Sequence, residues 1–173
     1  MREDGPCTER RWFLNSKGVR TPIQFDHPEF AEPQKWCEGR GVDLGCWIRS
    51  PQPDTLRVDR DDDVKPDVLA DFNATLPFRD GAFDYAWASH TIEHIVDWQR
   101  FLAEMFRITR PGGRVILIVP DKRWTSFDPT HVNFWTYETF LATVVPTVPH
   151  RLLAEGWSQQ NWSFYMVWER SPL

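Results

Sequence analysis

The stretch SHTIEH, residues 89–94, carries His90, Glu93 and His94 in an H-x-x-E-H spacing. On a regular helix, two histidines four apart share a face and can grip one zinc ion, and a neighbouring glutamate can activate the metal-bound water. That chemistry is metal-assisted hydrolysis. It needs both histidines on one helix and a third protein ligand. The surrounding sequence argues against it. AFDYAWASH (82–90) reads as a strand, so His90 ends a strand while His94 follows a turn or the opening of a helix. Glu138, Glu155 and Glu169 lie far downstream in no ligand spacing. No metal is expected on this reading. The three residues instead cluster at the carboxyl end of a strand, where open parallel sheets bind their ligands.

The elements that must position this cluster follow from periodicity. GVDLGC (41–46), TLRVD (55–59), DVLAD (67–71), AFDYAWASH and GRVILIVP (113–120) read as successive strands, the last nearly all apolar, as for a strand buried on both faces. Between the fourth and fifth runs DWQRFLAEMFRITRPGG. Its Trp98, Phe101, Leu102, Met105, Phe106 and Ile108 recur at three and four, Asp97 sits near its start and RPGG stops it. That is an amphipathic helix whose apolar face packs on the sheet. TYETFLATVV (136–145) reads as another helix and NWSFYMVWER (161–170) as a final strand. Strands alternating with helices predict an α/β fold with a mostly parallel sheet. Residues 1–40 are polar and broken by Pro22, Pro28 and Pro33, and read as an N-terminal arm with one short helix near Glu29 to Glu38. Residues 41–173 form the domain.

The strand ends carry the next signal. Gly45 sits at the turn after the first strand, where backbone can approach a ligand closely. Asp59 ends the second strand and is placed to accept both hydroxyls of a ribose. Asp71 ends the third and can accept from an exocyclic amine, while Phe72 offers an apolar surface to a purine. Each acid alone fits a solvated strand end. Together they describe a slot for an adenosine without phosphates.

VDLGC, LRVD, ADFNATLPFRDGAFDYAWASHTIEHIVDW and ITRPGGRVILIVP resemble the class I S-adenosylmethionine-dependent methyltransferases, most of all the small type-11-like branch. The resemblance spans about residues 40–121, with an echo in DPTHVNFWTYETF. It implies a Rossmann-like methyltransferase fold, reduced in size, with seven mostly parallel strands and an antiparallel last strand. NWSFYMVWER would be that strand and the segment before it a sixth. It implies S-adenosylmethionine as cofactor, with Asp43 and Gly45 at its methionine end, Asp59 at the ribose, and Asp71 with the backbone of Phe72 at the adenine. Ser89 and His90 would border the methionine part or the substrate. Cys46 and Trp47 stand where the family's first motif continues to a second glycine, so Trp47 either packs on the cofactor as a lid or fills its place. Only eight residues separate Cys46 from the second strand run, and they include Pro51 and Pro53. A crossover helix needs about a dozen or more, so this segment is expected to be a loop.

Methyl transfer to a hydroxyl or amine needs a positioned acceptor and a proton acceptor. His131 and His90 are the candidates for the base. His94 reads as structural, bonding a backbone group. Lys122 and Arg123, just after the fifth strand, suit a carboxylate or phosphate on the acceptor, or a solvated charge pair. Trp124, Phe127, Phe134, Trp135 and Tyr137 suit a pocket wall for a sugar-, aromatic- or lipid-like acceptor, or a cover for the sheet edge. Two functions stay open: a small-molecule methyltransferase, or a catalytically silent relative that pairs with an active subunit.

The bulk properties are consistent with either. The 173 residues suit one domain, and a net charge of −5 without a basic run argues against general nucleic-acid binding. The three cysteines form no C-x-x-C pair, and no apolar run approaches a membrane span. A soluble, cytoplasmic, reducing setting is expected. Ten tryptophans and twelve phenylalanines supply a large aromatic core, and exposed aromatics would make homo- or hetero-oligomers reasonable.

Overall fold

A computed structural model describes residues 12–14, 17–25, 27–125, 128–158 and 162–172. Strands β1 (Trp12–Leu14) and β2 (Arg20–Pro22) pair as a small antiparallel ladder. The main sheet is built from β3 (Gly41–Leu44), β4 (Leu56–Asp59), β5 (Val68–Leu69), β6 (Phe83–Ser89), β7 (Thr109–Pro120), β8 (Arg151–Trp157) and β9 (Ser163–Glu169). Its order is β5-β4-β3-β6-β7-β9-β8. β3 to β7 pair in parallel, and β9 runs antiparallel to both β7 and β8. This is the mostly parallel, Rossmann-like sheet expected from the alternating elements and the resemblance, with its order reversing between β3 and β6 and one antiparallel strand, the last. The sixth strand is the segment before it, as expected.

The period of two along β6 and β7 divides the core. Ala86, Ala88, Val115, Leu117 and Val119 face one side, and Tyr85, Trp87, Ile116 and Ile118 the other. The first face is covered by α1 (Trp98–Ile108) and α3 (Tyr137–Thr143); the one-turn α2 (Lys122–Thr125) leaves the end of β7. α1 follows its sequence signal closely. Asp97 caps it by accepting from the Arg100 N–H at 3.1 Å, and Phe101, Leu102, Met105, Phe106 and Ile108 are buried. Its end differs from expectation. Thr109 already belongs to β7, and the Pro-Gly-Gly turn is taken up as an irregularity opposite Phe83–Tyr85.

Among the described residues, no long helix covers the second face. It is covered by the chain before β3, in two 3-10 turns, Pro28–Phe30 and Pro33–Trp36. Each opens on a proline, which has no N–H to give a longer helix, so the single helix expected near Glu29–Glu38 is split in two. Phe30 is fully buried, its ring edge-on to Trp87 at 5.0 Å. The chain between β3 and β4 is a loop, as its prolines imply. The arm braces it: Gln24 N–H donates to Ile48 O at 2.8 Å and Ser50 N–H to Gln24 O at 3.1 Å. Ile23 packs with Cys46 and Val64 beneath. No helix among the described residues is long and apolar enough to cross a membrane.

Candidate active site

The carboxyl ends of β3, β4 and β6 open into a cleft of about 610 Å³. Its floor is the turn after β3. Gly45 has φ +83°, and a Cβ there would meet Thr91 Oγ1 at 2.2 Å, so glycine is required twice over. Thr91 Oγ1 donates to Leu44 O at 2.9 Å and fixes the turn against the next strand end. Gly45 and Cys46 N–H groups both point back to Val58 O.

Trp47, which follows, is held in the left-handed region at φ +33°. Its N–H donates to Asp59 Oδ2 at 3.0 Å, and the Asp61 N–H donates to Asp59 Oδ1 at 3.1 Å. The carboxylate of Asp59 thus organises the loop and retains lone pairs for a ligand. Cys46 Sγ lies 4.0 Å from the same carboxylate. The Trp47 side chain lines the rim and is 56% exposed, so it leaves the cleft open.

At the bottom lies Asp43, 1% exposed. Its Oδ2 has no hydrogen-bond partner among the described residues. Burial holds its carboxyl well above the usual carboxylate range, against the charge of Arg57 and a hydrogen bond with Ser50. Ser89 Oγ is likewise buried without a partner among the described residues. A buried carboxyl with one partnerless oxygen lining a cleft fits an ammonium group, and Asp59 fits a diol. The residues present therefore fit the amino-acid and ribose ends of S-adenosylmethionine.

His90 turns the corner after β6 at φ +53°. Its Nε2 is 3.0 Å from Ser163 Oγ and 3.3 Å from Glu29 Oε2. Glu29 comes from the arm and also accepts from Arg49 Nη1 at 3.2 Å. Burial alone would depress His90, yet the Glu29 hydrogen bond and the charges of Glu93 and Glu29 leave it raised above the usual histidine range.

The far wall is assembled from two segments. The backbone carbonyl of Glu93 accepts from both Val132 and Asn133 N–H, at 2.9 and 3.0 Å. Asn133 Nδ2 donates to Ile95 O at 2.7 Å. These bonds bring His131 beside His94, ring centroids 4.7 Å apart and edge-on. Burial, then the neighbouring His94, keeps His131 below the usual histidine range. His94 Nδ1 lies 3.2 Å from Thr130 O, a backbone group of the distant loop and not one near the start of its own helix.

Asp43, Gly45, Cys46, Trp47, Asp59, Phe72, Ser89, His90 and His131 all line this one cleft. The Phe72 ring packs into the core against Phe101 at 5.5 Å and is 4% exposed. Asp71 stands apart from the lining: its Oδ1 accepts from Asn73 N–H at 2.9 Å in a turn. Lys122, Arg123, Trp124 and Trp135 also lie off the cleft. Arg123 is bidentate on Asp121 at 2.8 and 2.7 Å and lies over Trp157. The Trp124 side chain is exposed, and Trp135 packs edge-on to Trp98 and Phe140. Phe127 falls outside the described residues. Sequence reasoning missed Glu29, Arg49 and Thr91, which reach the site only through long-range folding. Glu93 stood in the motif that opened the analysis, but nothing in the sequence announced its burial.

Residues 49–117 match the protein family described as "Methyltransferase domain". The chain is 48% identical over 121 residues to the demethylmenaquinone methyltransferase of Mycolicibacterium gilvum, covering 69% of this chain and 46% of that protein. It is 40% identical over 76 residues to the 2-methyl-6-phytyl-1,4-hydroquinone methyltransferase of Synechocystis, covering 40% of this chain and 23% of that one. It thus spans less than half the length of these two relatives. Its fold superposes with TM-score 0.65 and 14% identity on a chain from a complex of the Haloferax volcanii Trm112 methyltransferase activator with a methyltransferase, covering 85% of this chain and 90% of that one. Residues 49–117 thus match the methyltransferase-domain model, and the chain carries the fold of these methyltransferases.

Proposed function

We propose that the chain transfers a methyl group from S-adenosylmethionine to a small-molecule acceptor in the cleft at the ends of β3, β4 and β6. The observation that carries this reading is the pairing of a buried, partnerless Asp43 Oδ2 with Asp59 along one open cleft. When bound, the cofactor supplies an electrophilic methyl on a sulfonium centre. The chain's own residues do the rest. Asp43 takes the ammonium, and Asp59 uses its remaining lone pairs on the ribose hydroxyls. Ser89 and His90 border the methionine part. Glu29, Arg49 and Ser163 lock the His90 ring from behind. His131 stands across the cleft, on the acceptor side.

The relatives named above for demethylmenaquinone and a hydroquinone favour an acceptor of quinol type, an aromatic ring carrying hydroxyls. The test is incubation of the protein with S-adenosylmethionine and a series of hydroquinones and phenols, with mass detection of S-adenosylhomocysteine and of an acceptor heavier by one methylene. Acceptor-dependent turnover supports the reading; its absence with every acceptor counts against it.

A second reading rests on the loop that replaces a crossover helix after β3, since the exposed Trp47 does not fill the cleft. Such a site is completed by an activating partner, and the activator complex with the same fold gives a precedent for the arrangement. Turnover that appears only on adding a partner subunit would favour it.

A further inference from the structure

We propose that Glu93, His94 and His131 form a binding site for one divalent transition-metal cation, such as zinc, cobalt or iron(II), on the wall of the cleft. Each offers one ligand atom, and these atoms lie within 4.8 Å of one another. Glu93 Oε1 and His94 Nε2 are 3.9 Å apart. Ligands on a tetrahedral zinc sit about 3.4 Å from each other. Rotation of the side chains, each through a fraction of an ångström, closes the set onto an ion.

A second, independent observation points to a cation. Glu93 is 1% exposed, and neither of its carboxylate oxygens has a hydrogen-bond partner among the described residues. A buried carboxyl with both oxygens idle is costly, and a bound cation satisfies it. Burial pushes the carboxyl up to about 7, and the charge of His90 and its own backbone N–H offset that cost only in part. His90 Nδ1 stands 3.8 Å away, and the Nε2 of that ring is already engaged by Glu29 and Ser163.

The surroundings match the way proteins orient metal-binding imidazoles. His94 places Nδ1 against the Thr130 carbonyl at 3.2 Å, which leaves Nε2, the nitrogen facing Glu93, with its lone pair outward. His131 is braced from its own loop by Asp128, whose Oδ2 is 3.6 Å from Nε2. The two segments are fixed to each other by the paired bonds onto the Glu93 carbonyl, so the set is organised before any ion arrives. Two imidazoles and one carboxylate select borderline transition metals over magnesium or calcium. The remaining coordination positions face the cleft, where an oxygen or nitrogen of a small molecule can complete them.

The motif that opened the sequence analysis thus reads differently in three dimensions. His90 is drawn away to Glu29, and His131, from a distant loop, takes the place it would have held on a helix.

The test is titration of the chelator-treated protein with cobalt(II), followed by its visible absorption, and with zinc by calorimetry. One equivalent is expected to bind, with a ligand-field band. Glu93→Gln, His94→Ala and His131→Ala should each weaken binding by about tenfold or more. His150→Gln, on the far side of α1, should leave it unchanged. Near-ultraviolet circular dichroism reports folding of each variant. The partly exposed His94 provides a variant that does not disturb the buried carboxyl. A folded protein that binds no cobalt, or that binds it equally in all variants, overturns the proposal. Titration of the same samples with S-adenosylhomocysteine reports on the cofactor site separately, so the two readings fail independently.

Discussion

Arg57 Nη2 donates to the backbone carbonyl of Trp47 at 2.6 Å, from a side chain that is 7% exposed. The same guanidinium also donates to Lys65 O and Val64 O, at 3.1 and 3.2 Å. One buried cation on β4 therefore holds both loops that flank Asp59. Trp47 and Lys65 are two of the three described non-glycine residues with positive φ, and Arg57 grips both carbonyls. Left-handed backbone costs about 1–2 kcal/mol per residue, and these bonds offset it.

Arg57→Met is accordingly expected to lower stability by about 2–4 kcal/mol, since three charge-assisted bonds are lost in a buried place. Cofactor affinity should fall with it, because the Asp59 loop loosens. Denaturant unfolding and calorimetry of the same variant measure both.

Trp47→Gly tests the strain at this position directly. Glycine carries no penalty at positive φ, and the indole is mostly exposed, so little burial is forfeited. The variant should be as stable as the parent or more stable by up to about 1 kcal/mol. It should bind S-adenosylhomocysteine more tightly if the indole restricts the cleft rim, and more weakly if the indole stacks on the cofactor.

Gly45→Ala moves the other way. The added methyl would enter the space of Thr91 Oγ1 while the backbone sits at φ +83°. A loss of about 2–4 kcal/mol is expected, with the Thr91 bond to Leu44 O broken. Thermal unfolding reads the change.

Much of this architecture is legible in the sequence where local pattern decides. β6, β7 and α1 are long and periodic, so their places follow from hydrophobic spacing. Pro51 and Pro53 announce the loop after β3. β8 carries no such signal: its residues are mostly half-buried at the sheet edge, so no alternation marks it. The arm was legible as broken chain, but not as the cover of a sheet face. Phe30 meets Trp87 only after the chain has folded back across the sheet. The cleft shows the same division. Gly45 and Asp59 follow from strand ends and Asp43 from the resemblance, while Asp71, read from a strand end in the same way, stands outside the lining. Glu29 behind His90, and His131 beside His94, depend on contacts between segments far apart in sequence. Lys122, Arg123, Trp124 and Trp135 were grouped by proximity in the chain, and the sharp exit of β7 sends them to other neighbours, chiefly Asp121, Trp98 and Phe140.

Acid sensitivity should centre on Glu104. The Arg107 guanidinium beside it, at 2.6 Å, holds its carboxyl below the ordinary range despite partial burial, and the Leu76 N–H adds to the effect. A group depressed in the folded state contributes stability above its unfolded value and loses it as pH falls through its folded value. Glu104→Gln should therefore cost about 1–3 kcal/mol at neutral pH and almost nothing once the parent carboxyl is protonated. Urea unfolding of parent and variant across the acid range would show two curves converging at low pH. A constant gap would assign the loss to packing instead.

The most direct test of the account is calorimetric titration of the intact protein with S-adenosylhomocysteine, alongside Asp43→Asn and Asp59→Asn. The account predicts saturable binding at one site, weakened about 10–100-fold in each folded variant, as expected for losing charged hydrogen bonds. Absence of binding by a well-folded parent protein, or binding by both variants as tight as the parent's, would contradict it.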